Sequence, residues 1–354
     1  MPPADETAAA PRSRGILALA AGCAVAGLIL VAGLEIILRL GWIENGEHAR
    51  RQVPARPEVV RSRVLVLGDS FILPYWDLGK ALAASLAEQD VAVHNAAISG
   101  TGPFEYLDTL KRELQRASAD VVLLSYYAGN DLTDVKNHPR TTGDDAGAIA
   151  INRAASRPVL RHLYSYHWLR AVVQMWRARR FDAAGAAAAG VDPELIEDAR
   201  QLRINPYLLQ LARNDPGHFL DNVLMEGEQN ELAWRRVREL ILEMDDVCRA
   251  NGAGLAIVIF PHSIQVNRSH FDFFRGMTFA MDDGTLDSTR PQDLMRELCT
   301  ERGIPLLDLL PVLEEHSEEE LYLEKDDHLN PAGNALAAEH ILEFLGDFIP
   351  ERAE

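Results

Sequence analysis

The sequence predicts an α/β fold, a three-layer sandwich built around a parallel sheet, carried behind a membrane-spanning N-terminal helix and interrupted by a helical insertion. Three observations support this reading. Short apolar, β-branched runs of the buried-strand type recur through the chain, stretches of helical periodicity separate them, and polar clusters follow the runs. Strands that alternate with helices pair in parallel through right-handed crossovers, which places helices on both faces of the sheet.

The first run is Ser62–Leu67, which ends at Gly68. Asp77–Glu88 has helical spacing, Val91–Asn95 is the second strand and Phe104–Arg116 the second helix. Val121–Tyr127 is the third and most apolar strand. After the helix Gln229–Ala250 come a fourth strand, Leu255–Phe260, a helix over Pro291–Arg302 and a short fifth strand, Leu306–Leu309. Pro331–Leu345 is the last helix. Asn330 can cap it, and Pro331 falls in its first turn, where a missing N–H costs nothing.

The rhythm breaks at 133–228, which reads as a helical insertion within a domain spanning 61–350. Arg153–Arg180 is rich in arginine and aromatics (Tyr164, Tyr166, Trp168, Trp176), and an alanine-glycine tract follows at Ala183–Gly190. Contact with a membrane surface or an anionic glycan is one reading of that stretch. A solvated amphipathic helix packed on the sheet is the other and the favoured one.

Ahead of the domain, residues 1–14 form a polar tail and 41–60, with Pro54 and Pro57, a linker. Between them Gly15–Leu34 runs twenty residues without a charge, directly after Arg12 and Arg14. That is the length needed to cross a hydrocarbon core, and longer than the apolar run of a cleaved signal peptide. Glu35 and Arg39, spaced to pair on one helix face, and Trp42 suit an interface. The expectation is a signal anchor over 15–40 with the large domain outside the cytoplasm, the lesser alternative being a long signal peptide cleaved near Ala24-Val25-Ala26; Arg50, Arg51 and Arg56 leave the flanking charge undecided.

A net charge of −18 argues against a nucleic-acid partner, since no basic footprint offsets phosphate charge. The three cysteines, Cys23, Cys248 and Cys299, have no zinc spacing, and Cys248 and Cys299 read as free buried thiols on helices. Gly100-Thr-Gly102 resembles the start of a dinucleotide loop, but Glu105 stands where the third glycine belongs. No phosphate-binding lysine loop, His-Glu-x-x-His helix or Gly-x-Ser-x-Gly elbow occurs.

Four polar clusters carry the chemistry: Gly68-Asp69-Ser70 after the first strand, Asn95–Gly100 after the second, Gly129-Asn130-Asp131 after the third, and Asp326-Asp327-His328 before the last helix. In a parallel sheet these loops emerge at one edge, where ligands bind. Their residue types suit acyl transfer. Ser70 is a weak nucleophile until a base takes its proton, His328 has the pKa for that task, and a neighbouring carboxylate fixes the imidazole tautomer. The N–H groups of Ser70 and Gly100 and the amide of Asn130 can stabilise an oxyanion. Asp69 reads as a turn-stabilising residue, and His262, behind Pro261, as structural or substrate-contacting.

Taken together, Val66-Leu67-Gly68-Asp69-Ser70-Phe71, Asn95–Gly100, Ala128-Gly129-Asn130-Asp131 and Asp326–Gly333 resemble the four blocks of the SGNH hydrolases, or GDSL esterases. The resemblance covers roughly 60–131 and 253–345. It implies a flavodoxin-like sheet, no metal or cofactor, and an acyl-ester substrate. Two departures stand out: the third block reads Gly-Asn-Asp rather than Gly-x-Asn-Asp, and Lys325 occupies the place three before the histidine where many members carry the aspartate. Family variants that modify exported polysaccharides use a one-residue gap, which points to Asp326. The resemblance therefore implies catalysis by Ser70, His328 and Asp326, with an oxyanion hole from Ser70, Gly100 and Asn130. It implies hydrolysis of acyl esters on an envelope or exported glycan. The rivals are acyl transfer by the same triad, lipid ester hydrolysis, and a catalytically silent glycan-binding or scaffold protein.

Overall fold

The computed structural model describes residues 30–37, 60–74, 76–142, 182–201 and 203–349. Five strands, β1 (Ser62–Leu67), β2 (Val91–Asn95), β3 (Val121–Tyr127), β4 (Gly254–Phe260) and β5 (Leu306–Asp308), form one sheet in the order β2-β1-β3-β4-β5. Every pairing is parallel: Val64 of β1 faces Val93 of β2 on one side and Val121 of β3 on the other. Strands of a parallel sheet are covered on both faces, which is why β3 is buried at all its positions and apolar at most of them.

Side chains that alternate along the strands feed two cores. Leu65, Leu67, Val122, Leu124 and Ile257 pack with Leu107 and Leu110 of helix Pro103–Leu114, Val237 and Ile241 of Glu228–Ala250, and Met295 of Arg290–Arg302. Val64, Val66, Leu123 and Val258 pack on the other face with Leu78 and Leu82 of helix Asp77–Glu88 and Ile341 and Leu345 of Pro331–Gly346. Each such side chain is worth about 1.5–3 kcal/mol when taken out of water. Cys248 and Cys299 are buried free thiols in the first core.

The five predicted strands and the helices predicted between Asp77 and Leu345 outside the insertion are all present, with ends moved by a residue or two. The second helix starts at Pro103 and stops at Leu114, and β5 ends at Asp308. Asn330 caps the last helix as expected, its Oδ1 accepting from the N–H of Gly333 at 3.0 Å. Helix Asp131–Asn137 crosses the expected insertion boundary at 133, and its Leu132 and Val135 belong to the first core.

Beyond it, the described part of the insertion is helical: Pro139–Thr142, Ala183–Ala188, Pro193–Arg200, Pro206–Asn214 and His218–Val223. Ile196, Ala199, Phe219 and Val223 form a third apolar cluster with Ile264, Phe274 and Phe279, which follow β4 on two short helices, Ser263–Val266 and Arg268–Gly276, and the turn beyond. The Arg153–Arg180 stretch lies outside the described residues. So does most of the expected membrane segment, of which 30–37 are described, as helix. Among the described residues no helix is long and apolar enough to cross a membrane.

The strand order reverses at β1, whose sequence neighbour β2 lies on one side and β3 on the other. The carboxyl ends of β1 and β3 therefore border the crevice at which ligands bind in open α/β sheets. Ser70 and Asn130 follow these two ends directly.

Candidate active site

The turn after β1 is built around Ser70. Gly68 has φ +153°, and a Cβ there would lie 2.7 Å from the Cβ of Ser125, so only glycine brings the chain past β3 at this point. Asp69 is fully buried, and its Oδ1 accepts from the N–H of Phe71 at 3.1 Å, as a turn-stabilising residue should. Burial pushes its pKa up to about 6, opposed by that hydrogen bond, by the charge of His328 and by the amide of Asn130. The result places Ser70 at the start of a single helical turn, Ser70–Ile72.

The other loops are tied to this turn. Asn95 at the end of β2 donates to the carbonyl of Ile72 at 2.7 Å, and Ile98 donates its N–H to Gly68 at 3.0 Å. Gly100 then turns the chain with φ +70°, a conformation that favours glycine. A Cβ there would meet nothing within 4 Å, so the backbone conformation rather than crowding calls for glycine. After β3, the Asn130 amide donates to Asp69 Oδ2 at 3.3 Å. Asp131 is fully buried: its Oδ2 accepts from the N–H of Tyr127 at 2.8 Å, and its Oδ1 lies 2.9 Å from the Tyr106 hydroxyl. That hydroxyl is also 2.9 Å from the carbonyl of Thr101, beside Gly100.

His328 completes the constellation from a position 258 residues away. Its Nε2 lies 2.8 Å from Ser70 Oγ, and its Nδ1 faces the Asp326 carboxylate in close contact. Asp326 also accepts from the backbone N–H of His328 at 3.0 Å, which fixes the loop that presents the ring. A second carboxylate, Asp327, stands 3.3 Å from the same Nδ1 and accepts from the Tyr127 hydroxyl at 2.7 Å. The imidazole stacks on Phe71 with ring centroids 4.9 Å apart, and Trp76 meets it edge-on at 4.8 Å. Burial alone would lower the His328 pKa, but Asp326 and Asp327 outweigh it and push the ring up to about 10. For Asp327, burial works to raise the pKa, while His328, His262 and Tyr127 hold it well below the usual carboxylate range.

All five residues expected to form the site thus lie in loops at one edge of the sheet, and Ser70, His328 and Asp326 stand in hydrogen-bonding sequence. Among the described residues Gly100 N–H makes no hydrogen bond within the protein, which leaves it free for an oxyanion. His262 is structural: wholly buried, its Nδ1 accepts from Ile264 N–H at 3.1 Å, and burial lowers its pKa to about 3. Asp326, Asp327 and His328 also have the donor chemistry of a metal trio, but both imidazole nitrogens are already engaged, Nε2 by Ser70.

Sequence reasoning did not find the Asp327–Tyr127 pair or the aromatic brackets Phe71 and Trp76. Nor did it find the role of Lys325. This residue, three before His328, donates to Asp198 of the insertion at 2.5 Å, and Arg203 donates to the same buried carboxylate at 2.7 Å. The insertion is thereby fastened to the loop that carries Asp326 and His328.

Ser70, His328 and Asp326, in hydrogen-bonding sequence at the switch point of a five-stranded parallel sheet, have the arrangement of a class of serine enzymes that act on esters. Within that class, residues 219–350 match the family model described as the SGNH hydrolase-like domain of acetyltransferase AlgX. No curated protein sequence matches the chain. Among solved structures, the lipase/acylhydrolase from Enterococcus faecalis is similar at 12% identity over 83% of this chain and 100% of that one, with a TM-score of 0.42. The psychrotrophic esterase EstA from Pseudoalteromonas sp. is similar at 12% identity over 81% and 98%, with a TM-score of 0.36. Likenesses at this level do not bear on the function of this chain.

Proposed function

We propose that the chain cleaves acyl esters through a covalent acyl intermediate on Ser70, and that its natural substrate is an O-acylated glycan of the cell envelope or an exported polysaccharide. The observation that carries the reaction is the 2.8 Å contact between Ser70 Oγ and His328 Nε2, with carboxylate at the opposite nitrogen. Ser70 Oγ attacks the ester carbonyl as His328 Nε2 takes its proton. The carbonyl oxygen becomes an oxyanion facing the N–H groups of Ser70 and Gly100 and the amide of Asn130. Collapse expels the alcohol, which receives the proton from His328. Water then attacks the acyl carbon by the same steps in reverse, releasing the acid and restoring Ser70. Ile98 and Leu323, exposed apolar side chains on either side of the site in sequence, one on the Gly100 loop and one leading to His328, suit a short acyl group.

A second reading has a sugar hydroxyl replace water in the last step, making the protein an O-acetyltransferase. The match of residues 219–350 to the acetyltransferase family model favours it. The apolar segment Gly15–Leu34 supports a single-pass anchor that holds the site outside the cytoplasm. The test is to give the full chain a short-chain acyl donor with and without candidate glycans, and to measure free acid against acylated sugar. Free acid at an unchanged rate with glycan present supports the hydrolase. Acylated sugar formed at the expense of free acid selects the transferase, and neither product from any donor would overturn both.

A further inference from the structure

The Tyr106 hydroxyl presents a problem in proton counting. It lies 2.9 Å from the Thr101 carbonyl and 2.9 Å from Asp131 Oδ1. A phenol has one hydrogen to donate, and a carbonyl oxygen can only accept. With Asp131 ionised, the one phenolic hydrogen can serve either the carboxylate or the Thr101 carbonyl, and whichever oxygen it leaves stands 2.9 Å from a phenolic lone pair with no hydrogen between them, a costly arrangement beside a fully buried carboxyl. A hydrogen on Asp131 Oδ1 removes the conflict: Asp131 donates to Tyr106, and Tyr106 donates to Thr101. The other oxygen, Oδ2, remains an acceptor for Tyr127 N–H.

We propose that Asp131 is held as a neutral acid at neutral pH and, through Tyr106, fastens the Gly100 loop to the Asn130 loop, so that a buried proton positions the two oxyanion donors. The surroundings favour that state. The charged and titratable groups facing Asp131 are Asp69, Asp134, Tyr106 and Tyr126, with Tyr127 contributing its N–H; Glu105 bears on Asp134. None is a cation. Burial, then the charges of Asp69 and Asp134, hold the Asp131 pKa well above the usual carboxylate range. Asp69 differs, because both its oxygens accept, from Phe71 N–H and from the Asn130 amide, and it can carry its charge. A neutral Asp131 also spares the oxyanion a second full negative charge behind Asn130. Asp131 touches no reacting atom in this scheme and is a positioning residue. The inference rests on the acyl-transfer reading only for its effect on rate, and the protonation state can be read without any substrate.

The experiment is infrared difference spectroscopy of the full chain at neutral pH, comparing wild type with Asp131→Asn and Tyr106→Phe. The expected result is a protonated-carboxyl C=O band in wild type that is absent in Asp131→Asn and shifted in Tyr106→Phe, where its hydrogen-bond acceptor is gone. Should Asp131→Asn not fold, the shift in Tyr106→Phe still decides. In turnover, Asp131→Ala is expected to lower kcat about 10- to 100-fold with KM little changed, below the cost of deleting an oxyanion donor outright. Asp131→Asn, whose amide can donate to Tyr106 and accept from Tyr127, is expected to recover most of that loss. A carboxylate band assigned to Asp131 in wild type, or no protonated band that responds to either substitution, would overturn the proposal. So would Asp131→Asn falling as low as Asp131→Ala while both remain folded.

Discussion

Asp327 Oδ1 stands 3.3 Å from His328 Nδ1, so the imidazole that Asp326 engages directly also faces a second carboxylate. The two differ in setting. Asp326 is about a third exposed and bonded to its own loop, whereas Asp327 is more buried and anchored on the β3 residue Tyr127. Loss of a lone triad aspartate typically costs about 10⁴-fold in kcat, because the imidazole loses its tautomer and its counter-charge. Here the neighbouring carboxylate can take over part of both tasks. Asp326→Asn is therefore expected to cost clearly less than that, and the Asp326→Asn/Asp327→Asn pair more than the product of the single losses. Kinetics of the four proteins in a double-mutant cycle checks it. Multiplicative losses would show that Asp327 gives His328 no support.

The same pair sets the expected pH dependence. General base action needs neutral His328, and the two carboxylates raise its pKa to about 10 against the opposing effect of burial. Activity should climb as pH rises through an alkaline limb in kcat/KM, well above the ordinary histidine range. Replacing either carboxylate with its amide removes a charge that stabilises the imidazolium, so the limb should move to lower pH in Asp327→Asn. A limb that stays in place would mean that this charge does not reach the ring.

Protonation of Asp131 has a consequence for stability. Its pKa is raised in the folded protein, so the stability it contributes is full below the unfolded value near pH 4 and is lost as pH rises towards the folded value. Asp131→Asn does not titrate. Denaturant midpoints should therefore shift in favour of the variant, relative to wild type, from about pH 4 to about pH 7. A difference independent of pH would contradict a buried proton at this position.

Lys325 and Asp198 link the insertion to the catalytic loop, with Arg203 holding the same carboxylate. Displacement of a catalytic group by about 1 Å can cost about 100-fold in rate. Asp198→Ala is expected to lower kcat about 10-fold while leaving KM nearly unchanged. Lys325→Met, which spares the Arg203 contact, should cost less. Steady-state kinetics on both variants checks the order; a loss confined to KM would point to a substrate contact instead.

The strands β1, β2 and β3 were legible in the sequence because continuous apolar runs bounded by Gly68, Asn95 and Gly129 admit few other structures. The convergence of Ser70, Gly100, Asn130 and His328 followed from the parallel topology alone, without knowledge of any contact. The segment after β4 was not legible. Its helices Ser263–Val266 and Arg268–Gly276 are too short for periodicity to register, and Phe271 and Phe274 find their partners only in three dimensions. Tyr106, on the buried face of an amphipathic helix, and Tyr127, on an apolar strand, are similar cases: nothing in either pattern says where the hydroxyl goes. Lys325 was noticed as a departure, but its partner lies 127 positions away in the insertion.

The most direct test of the central claim is covalent labelling of the full chain by a fluorophosphonate probe, with the modified residue located by peptide mass spectrometry. The account predicts a single adduct at Ser70, absent in Ser70→Ala and strongly slowed in His328→Ala, with the fold of both variants preserved. Labelling undiminished in Ser70→Ala, or an adduct at another serine, would contradict it.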